Sequence, residues 1–105
     1  MKLLKMLVKV LPVLLLLPIL GGCAISEDEE IKMGLQSAPK IEKEFGGLYP
    51  DQQVQSYVRE VGMGMVKYTD RSDLPWDFKV VNSKIINAFA LPGGQVYITK
   101  GLLRN

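Results

Sequence analysis

The sequence contains no histidine and only one cysteine, and these two absences exclude most of the common metal and catalytic chemistry. Without histidine there is no imidazole to act as a general base or as a zinc ligand. Cys23 has no intramolecular disulfide partner, and a site with two thiolate ligands is impossible. The serines have no activating base in their sequence context, and no carboxylate pair has a spacing typical of acid–base catalysis. These residues alone therefore predict no catalytic centre.

The positive net charge of +2 arises in the first 22 residues, which contain Lys2, Lys5 and Lys9 but no acid. Residues 23–105 hold the other 10 of the 13 basic residues and all 11 acidic residues, a net charge of −1. No basic patch with interleaved aromatic residues occurs there. The composition therefore gives no indication of nucleic-acid binding.

Residues 1–22 have the composition of an export signal. A lysine-bearing start is followed by an apolar run over residues 10–20, which is shorter than the roughly 20 residues of a spanning helix. The letters LGGC, which end at Cys23, resemble the lipobox of bacterial lipoproteins, in which the chain is cut before the cysteine and the cysteine is acylated. We therefore expect a lipoprotein signal peptide over residues 1–22 and a membrane anchor on Cys23, since two acyl chains suffice for stable anchoring.

The residue after the cysteine bears on the location of the mature chain. By resemblance to Gram-negative lipoproteins, Ala24 argues against retention in the inner membrane and leaves sorting to the outer membrane open. The expected location is the bacterial cell envelope, with the chain lipid-anchored at the outer membrane and facing the periplasm. An ordinary signal peptide followed by an incidental cysteine is the alternative.

Two helices are predicted near the start of the mature chain. Ser26 and Glu29 form an S-x-x-E capping box, and Gly46-Gly47 ends the first helix. Pro39 is expected to kink or split it. Asp51 is the expected cap of the second helix. The apolar stripes expected to form core are Ile31, Leu35, Ala38, Ile41 and Phe45 in the first helix, and Val54, Tyr57, Val58, Val61, Met65 and Tyr68 in the second.

Beyond the polar connector at residues 69–75, the period of the apolar residues changes from 3.6 to 2, which predicts strands. Three extended runs occupy residues 76–82, 85–91 and 95–99, and Pro92-Gly93-Gly94 forms a tight reversal between the last two. The final residues, from Lys100 onward, look like the start of a further helix. The predicted fold is α+β, with two N-terminal helices followed by a small antiparallel sheet built around a hairpin.

The run NAFALPGGQVYITKGLL at residues 87–103 closely resembles a signature of the zinc metallopeptidases related to HtpX and the CAAX prenyl peptidases. The resemblance is to the exported, BepA-like lipoprotein branch. It extends upstream to the helices at residues 30–65, so that it covers nearly all of the mature chain. It identifies residues 23–105 as the N-terminal portion of a zincin-like metallopeptidase domain, truncated before the zinc-binding motif.

The resemblance implies a cofactor that this chain does not bind by itself. In that family the strands lead into a helix carrying H-E-x-x-H, whose two His bind zinc and whose Glu is the general base for a zinc-activated water. No matching position exists in this sequence, so no catalytic or metal-binding residue is carried over. Zinc is expected in a complete family member only, and this chain alone is expected to be inactive.

The resemblance also implies a substrate-binding strand. In the family, the sheet edge beside the metal cleft binds the substrate backbone by strand addition, which orients a peptide regardless of its sequence. By motif match, the substrate strand comprises Asn87, Ala88, Phe89 and Ala90, and the turn that shapes the cleft comprises Pro92, Gly93 and Gly94. A packing role in the core is an equally good interpretation of Phe89 and Leu91.

Two functions from different classes follow. The first is the N-terminal part of a membrane-anchored zinc metalloendopeptidase that hydrolyses peptide bonds in misfolded envelope proteins. The second is a non-catalytic lipoprotein module that offers a sheet edge to extended peptides or to an assembly partner. A part of a larger domain should expose the apolar face that a missing helix would cover. The expected partners are the membrane and a peptide or unfolded protein, and no oligomeric state is indicated.

Overall fold

The computed structural model describes residues 25–104, so the predicted signal peptide, the predicted lipidation site Cys23 and Ala24 lie outside the described residues. Helix α1 spans Glu27–Glu44 and helix α2 spans Gln52–Val66. The strands and the last helix follow as β1 Asp77–Val81, β2 Ala88–Leu91, β3 Gln95–Thr99 and α3 Lys100–Leu103. The predicted α+β class, with two helices before a small sheet, is confirmed.

Helix α1 begins where the capping box predicts. The Glu29 N–H donates a hydrogen bond to the Ser26 Oγ at 3.1 Å. The helix continues through Pro39, so of the two expectations the split was wrong, and the kink stays a prediction. Pro39 is exposed, and the carbonyl group of Leu35, which lacks an N–H partner from Pro39, lies on an exposed side of the helix where water can satisfy it.

The link between the helices also follows the predicted signals. Gly46 and Gly47 both have positive φ values, and their N–H groups donate to the last carbonyls of α1, as expected for a glycine helix end. The Asp51 carboxylate accepts hydrogen bonds from the N–H groups of Gln53 and Val54 at 3.0 and 3.2 Å. The cap positions of both helices could therefore be predicted from local sequence.

The sheet is mixed, in the order β1-β3-β2. Strands β2 and β3 form the predicted antiparallel hairpin, in which Leu91 lies opposite Gln95. Strand β1 runs parallel to β3, with Val81 opposite Thr99, so the antiparallel prediction holds for the hairpin but was wrong for β1. Residues 82–87 carry the chain past β3 to its far side, whereas a short turn after β1 would have placed β2 beside it. Alternating apolar residues indicate a strand but not its neighbour.

One helix covers each face of the sheet. On the α1 face the core comprises Ala38, Val81 and Tyr97, with Ile41, Phe45, Phe89 and Leu91 packed against them. On the α2 face it comprises Val58, Val66, Phe78 and Val80, with Tyr49, Val54, Trp76, Val96 and Ile98 packed against them. A Cβ atom at Gly62 would overlap the Phe78 ring, so this glycine lets α2 approach the sheet closely.

The predicted stripes are only partly buried. Leu35 of α1 is 55% exposed. Four predicted core residues of the second stripe are also exposed, namely Tyr57, Val61, Met65 and Tyr68. The buried face of α2 comprises Gln55, Val58, Gly62 and Val66, and it is rotated away from the apolar stripe because a glycine and a glutamine make the contact with the sheet. Among residues 25–104, no helix is both long enough and apolar enough to cross a membrane.

Candidate functional site: the open edge of the sheet

Strand β2 forms one edge of the three-stranded sheet. The Thr99 N–H donates to the Asn87 carbonyl at 3.1 Å. In an antiparallel pair, alternate residues direct both backbone groups toward the partner strand. Asn87 and Phe89 therefore bond toward β3, whereas Ala88 and Ala90 direct their N–H and C=O groups toward the open side. This edge can offer two donor–acceptor pairs to an added strand.

The side chains of β2 alternate in the same way. Ala88 and Ala90 are exposed, and their methyl groups leave the edge accessible. The Phe89 ring lies on the α1 face, with its centroid 4.7 Å from that of Phe45 and 5.4 Å from that of Tyr97. Two of the predicted substrate-strand residues therefore lie at the open edge, and Phe89 packs in the core. Their role in binding substrate stays a prediction.

A buried hydroxyl group positions the start of this strand. The Asn87 N–H donates to Thr99 Oγ1 at 3.1 Å, and the Leu102 N–H donates to the same oxygen at 3.2 Å. The hydroxyl itself contacts the carbonyl of Ile85. Thr99 therefore joins the start of β2, the end of β3 and the start of α3. A threonine before a helix is a recognisable N-cap signal, but nothing local in the sequence indicates the contact with Asn87.

The predicted cleft turn lies against α1. Gly93 and Gly94 have φ values of 89° and 105°, which side chains rarely adopt. A Cβ atom at Gly93 would lie 2.5 Å from the Ile31 Cα, and one at Gly34 would overlap the Pro92 carbonyl oxygen. The glycines thus allow backbone-to-backbone packing between the turn and the helix. A role of this turn in shaping a cleft stays a prediction.

Glu30 holds the turn in place, a role that the sequence did not reveal because this residue sits in a run of acids at a helix start. Its carboxylate pairs with the Arg71 guanidinium through hydrogen bonds of 2.9 and 2.8 Å, and its Oε1 accepts from the Gly93 N–H at 3.3 Å. The hydrogen bond from Arg71, aided by that from Gly93, holds the pKa of Glu30 below its ordinary value. The hairpin turn is therefore fastened to the first turn of α1.

A second polar cluster lies between α1 and the sheet. The Tyr97 hydroxyl donates to Glu42 Oε2 at 2.6 Å, and Lys79 Nζ lies 3.2 Å from the same oxygen. Burial, together with this hydrogen bond, raises the pKa of Tyr97 above its ordinary value. These groups satisfy one another on the α1 face and do not reach the open edge, so they serve the packing of the helix.

The outer edge of β1 is closed by a side chain. Gln55 Oε1 accepts from the Val80 N–H at 2.8 Å, and its Nε2 donates to the Val80 and Tyr49 carbonyls at 2.9 and 2.8 Å. The Tyr49 N–H donates to the Val80 carbonyl at 2.9 Å. The amide of Gln55 thus reproduces the donor–acceptor pair of a neighbouring strand at Val80. The Asn82 N–H donates to the Gly47 carbonyl at 2.8 Å, so the edge of β1 is closed over its C-terminal part.

An apolar strip of α2 borders the sheet on the β3 side, and we call its residues Tyr57, Val61 and Met65 the α2 flank. Gln55 and Arg59 reach toward β1 on the other side of the helix, Arg59 through an ion pair of 3.6 Å with Asp77. The α2 flank is 66%, 47% and 56% exposed at its three residues. A groove of about 330 Å³ begins here, lined by Gln53, Val54, Tyr57, Val58 and Leu103.

The described side chains do not fit the zinc ion that the resemblance implies. Across residues 25–104, no three His, Cys, Asp or Glu side chains come together in an arrangement that could hold a metal ion. The sequence supplies no histidine at any position. The chemistry that this arrangement can perform by itself is the binding of an extended backbone at the β2 edge.

Comparison with known proteins identifies the family of this chain. The model of Peptidase family M48 matches residues 52–105, just over half of the chain. The mitochondrial metalloendopeptidase OMA1 of Schizosaccharomyces pombe is 31% identical over 81 residues, which cover 75% of this chain and 24% of that protein. The beta-barrel assembly-enhancing protease of Escherichia coli K12 is 30% identical over 84 residues, which cover 80% of this chain and 17% of that protein.

The chain therefore spans less than a quarter of the length of these curated relatives. The family match includes α2, the whole sheet and α3. The metallopeptidase family predicted from residues 87–103 is confirmed, and this chain belongs to peptidase family M48.

Proposed function

We propose that this chain supplies the substrate-binding edge of a zinc metalloendopeptidase, and that it forms the N-terminal portion of a longer protein. The observation that carries the proposal is the open edge of β2, where Ala88 and Ala90 direct their backbone groups outward. An extended peptide paired there would be held by up to four main-chain hydrogen bonds, each contributing about 1 kcal/mol net. These main-chain hydrogen bonds do not depend on the peptide sequence, as an enzyme acting on unfolded proteins requires.

The α2 flank supports the proposal of a longer protein. Its three large apolar side chains are exposed, and no described element covers them. A helix laid along the flank would bury these side chains together with the groove beside Leu103. In this proposal the zinc ligands lie in that additional portion, in keeping with the greater length of the relatives.

The proposal also includes a membrane anchor. We infer that residues 1–22 are removed and that acylated Cys23 holds the chain at the bacterial cell envelope, at the outer membrane facing the periplasm. Helix α1 begins four residues after Cys23, so the folded part would lie within about 14 Å of the anchor. The substrates would be misfolded envelope proteins, a proposal supported by the name of one relative, a beta-barrel assembly-enhancing protease.

Replacing Ala90 with proline tests the edge directly. The Ala90 N–H points away from β3, so Ala90→Pro removes no bond of the sheet, while its ring obstructs an added strand. Ala90→Thr is the matched control, because it keeps the N–H and suits a strand. Binding of a fluorescently labelled extended peptide should weaken at least about tenfold in Ala90→Pro, since lost main-chain hydrogen bonds contribute about 1 kcal/mol each. It should stay near the original affinity in Ala90→Thr, and equal affinity in all three proteins would refute the proposal.

The second candidate is a non-catalytic anchored module that binds extended peptides or an assembly partner through the same edge. The absence of histidine from the sequence favours it. Thermal unfolding and binding of a hydrophobic dye separate the two candidates. A broad transition with strong dye binding at the α2 flank indicates part of a larger domain, whereas a sharp cooperative transition with little dye binding indicates an autonomous module.

A further inference from the structure

We propose that the β2 edge selects extended peptides that carry an acidic side chain at the end of the edge near Asn87. The inference rests on the proposed function of that edge and adds a substrate class to it. Its basis is a surface depression of about 250 Å³, lined by Lys84, Ile86, Lys100, Gly101 and Arg104, which we call the basic depression.

The basic depression adjoins the open edge. Ile86, which lines it, precedes Ala88 by two residues, a separation of at most about 7 Å along the chain. Ala88 is the first residue whose backbone groups point outward. A peptide paired with Ala88 and Ala90 therefore needs to extend by only about one further residue pair to place a side chain over the depression.

The backbone holds the charged residues of the depression together. The Gly101 N–H donates to the Ser83 carbonyl at 3.0 Å, and a Cβ atom at Gly101 would overlap the Lys84 carbonyl. The Thr99 hydroxyl also joins the loop to the start of α3 through its contacts with Ile85 and Leu102. The loop that carries Lys84 and the helix that carries Lys100 and Arg104 are thus fixed against each other.

The charge of the depression has one sign. Three of its five lining residues are cationic and none is acidic. The ion pairs within residues 25–104 join Glu30, Glu42 and Asp77 to Arg59, Arg71 and Lys79, and none of them includes a cation of the basic depression. A carboxylate placed among these three cations would relieve their mutual repulsion. Because the depression is continuous with a backbone edge that pairs with peptides, we assign this carboxylate to an Asp or Glu of the bound peptide.

The test compares two extended peptides that differ only in one terminal Glu or Gln, with both ends blocked so that no terminal charge is present. Their affinities for the full chain are measured by fluorescence anisotropy. The Glu peptide should bind about tenfold more tightly than the Gln peptide, and about 0.5 M salt should largely remove the difference. A Gln peptide with a free terminal carboxylate is the third arm. If it alone gains affinity, the acidic-side-chain assignment is overturned.

Two variants with equal charge changes locate the effect. The double variant Lys84→Gln/Arg104→Gln should bind the Glu and Gln peptides equally. The control Lys32→Gln/Lys40→Gln, which removes two cations from exposed positions of α1, should retain the preference. Equal binding of both peptides to the original chain would overturn the inference.

Further arms separate this inference from the proposal on which it rests. If Ala90→Pro weakens binding of both peptides while the original chain shows no preference for Glu, the edge binds peptides and only the acidic selection is wrong. If Ala90→Pro changes neither affinity, the proposed function itself fails. Vesicles of anionic phospholipid form the last arm. Weaker vesicle binding by Lys84→Gln/Arg104→Gln, with unchanged peptide binding, would make the depression a membrane contact and overturn the inference.

Discussion

The two outer edges of the sheet differ in whether their outward backbone groups have hydrogen-bond partners within the chain. At β1, the buried Gln55 side chain and the backbone of Tyr49 satisfy both outward groups of Val80. At β2, small exposed alanines flank outward backbone groups to which the described chain brings no strand. Proteins normally protect exposed edges with charges, bulges, prolines or covering segments. The β2 edge carries none of these, whereas a buried amide covers the C-terminal part of the β1 edge. The β2 edge is therefore expected to have a partner.

Removing the protection of the β1 edge should have the largest effect. Gln55→Leu keeps the size of the side chain but leaves the Val80 N–H without its acceptor and the buried strand edge without a donor. We expect the free energy of unfolding to fall by about 3 kcal/mol, because buried polar groups are left without hydrogen-bond partners. Gln53→Leu at an exposed position of the same helix is the control and should change it by less than about 0.5 kcal/mol. Urea denaturation measures both, and similar values for the two variants would show that Gln55 does not protect the edge.

Substitutions on the two sides of β2 should differ in their effect on stability, and the larger of these effects should be smaller than that of Gln55→Leu. Phe89→Ala removes the half-buried ring that packs against Phe45 and Tyr97, with an expected loss of about 2 kcal/mol. Ala88→Ser on the exposed side should cost less than about 0.5 kcal/mol. Both variants keep the backbone groups that point outward, so neither should abolish peptide binding when the protein is folded. A large loss of stability in Ala88→Ser would mean that this side of the strand is not open.

The smallest effect should come from the hydrogen bonds that join Glu30 to Arg71 and to the hairpin turn at Gly93, and it should depend on pH. Because the pKa of Glu30 is lowered in the folded state, its stabilising contribution is present above the unfolded-state pKa of about 4.5 and is lost as the pH falls through the folded-state pKa. The melting temperature of Glu30→Gln should therefore fall less steeply below about pH 4.5 than that of the original chain. Arg71→Gln removes the hydrogen bond that lowers the pKa of Glu30 most. It should therefore also make the melting temperature less dependent on pH below about pH 4.5. Parallel profiles for all three proteins would contradict the assignment.

Local sequence signals predicted the parts of this fold that depend on local chemistry. Ser26, Asp51 and the Gly46-Gly47 pair were placed correctly at helix ends, and Pro92-Gly93-Gly94 marked the hairpin. Each of these features needs only the residues within one turn of the chain. The edge strand of the candidate site followed from the resemblance at residues 87–103, and the structure adds which of its residues face outward.

The parts that could not be predicted depend on contacts distant in sequence. The parallel pairing of β1 with β3 depends on the path of residues 82–87, which carries no register information. The buried face of α2 differs from its apolar stripe, because Gly62 and Gln55 meet the sheet while Tyr57 stays exposed. Hydrophobic periodicity cannot foresee that a polar amide is buried to close an edge. Hydrophobic periodicity also does not distinguish an apolar stripe that packs within this chain from an apolar stripe that stays exposed and can pack against another element.

Amide hydrogen exchange at β2 tests the central claim most directly. In the free chain, the amides of Ala88 and Ala90 should exchange rapidly, because they point away from β3, whereas that of Phe89 should be protected by the ladder. Addition of a saturating extended peptide should slow exchange at Ala88 and Ala90 and leave Phe89 nearly unchanged. If the peptide binds without slowing exchange at either alanine, the β2 edge is not the site at which this protein holds its substrate.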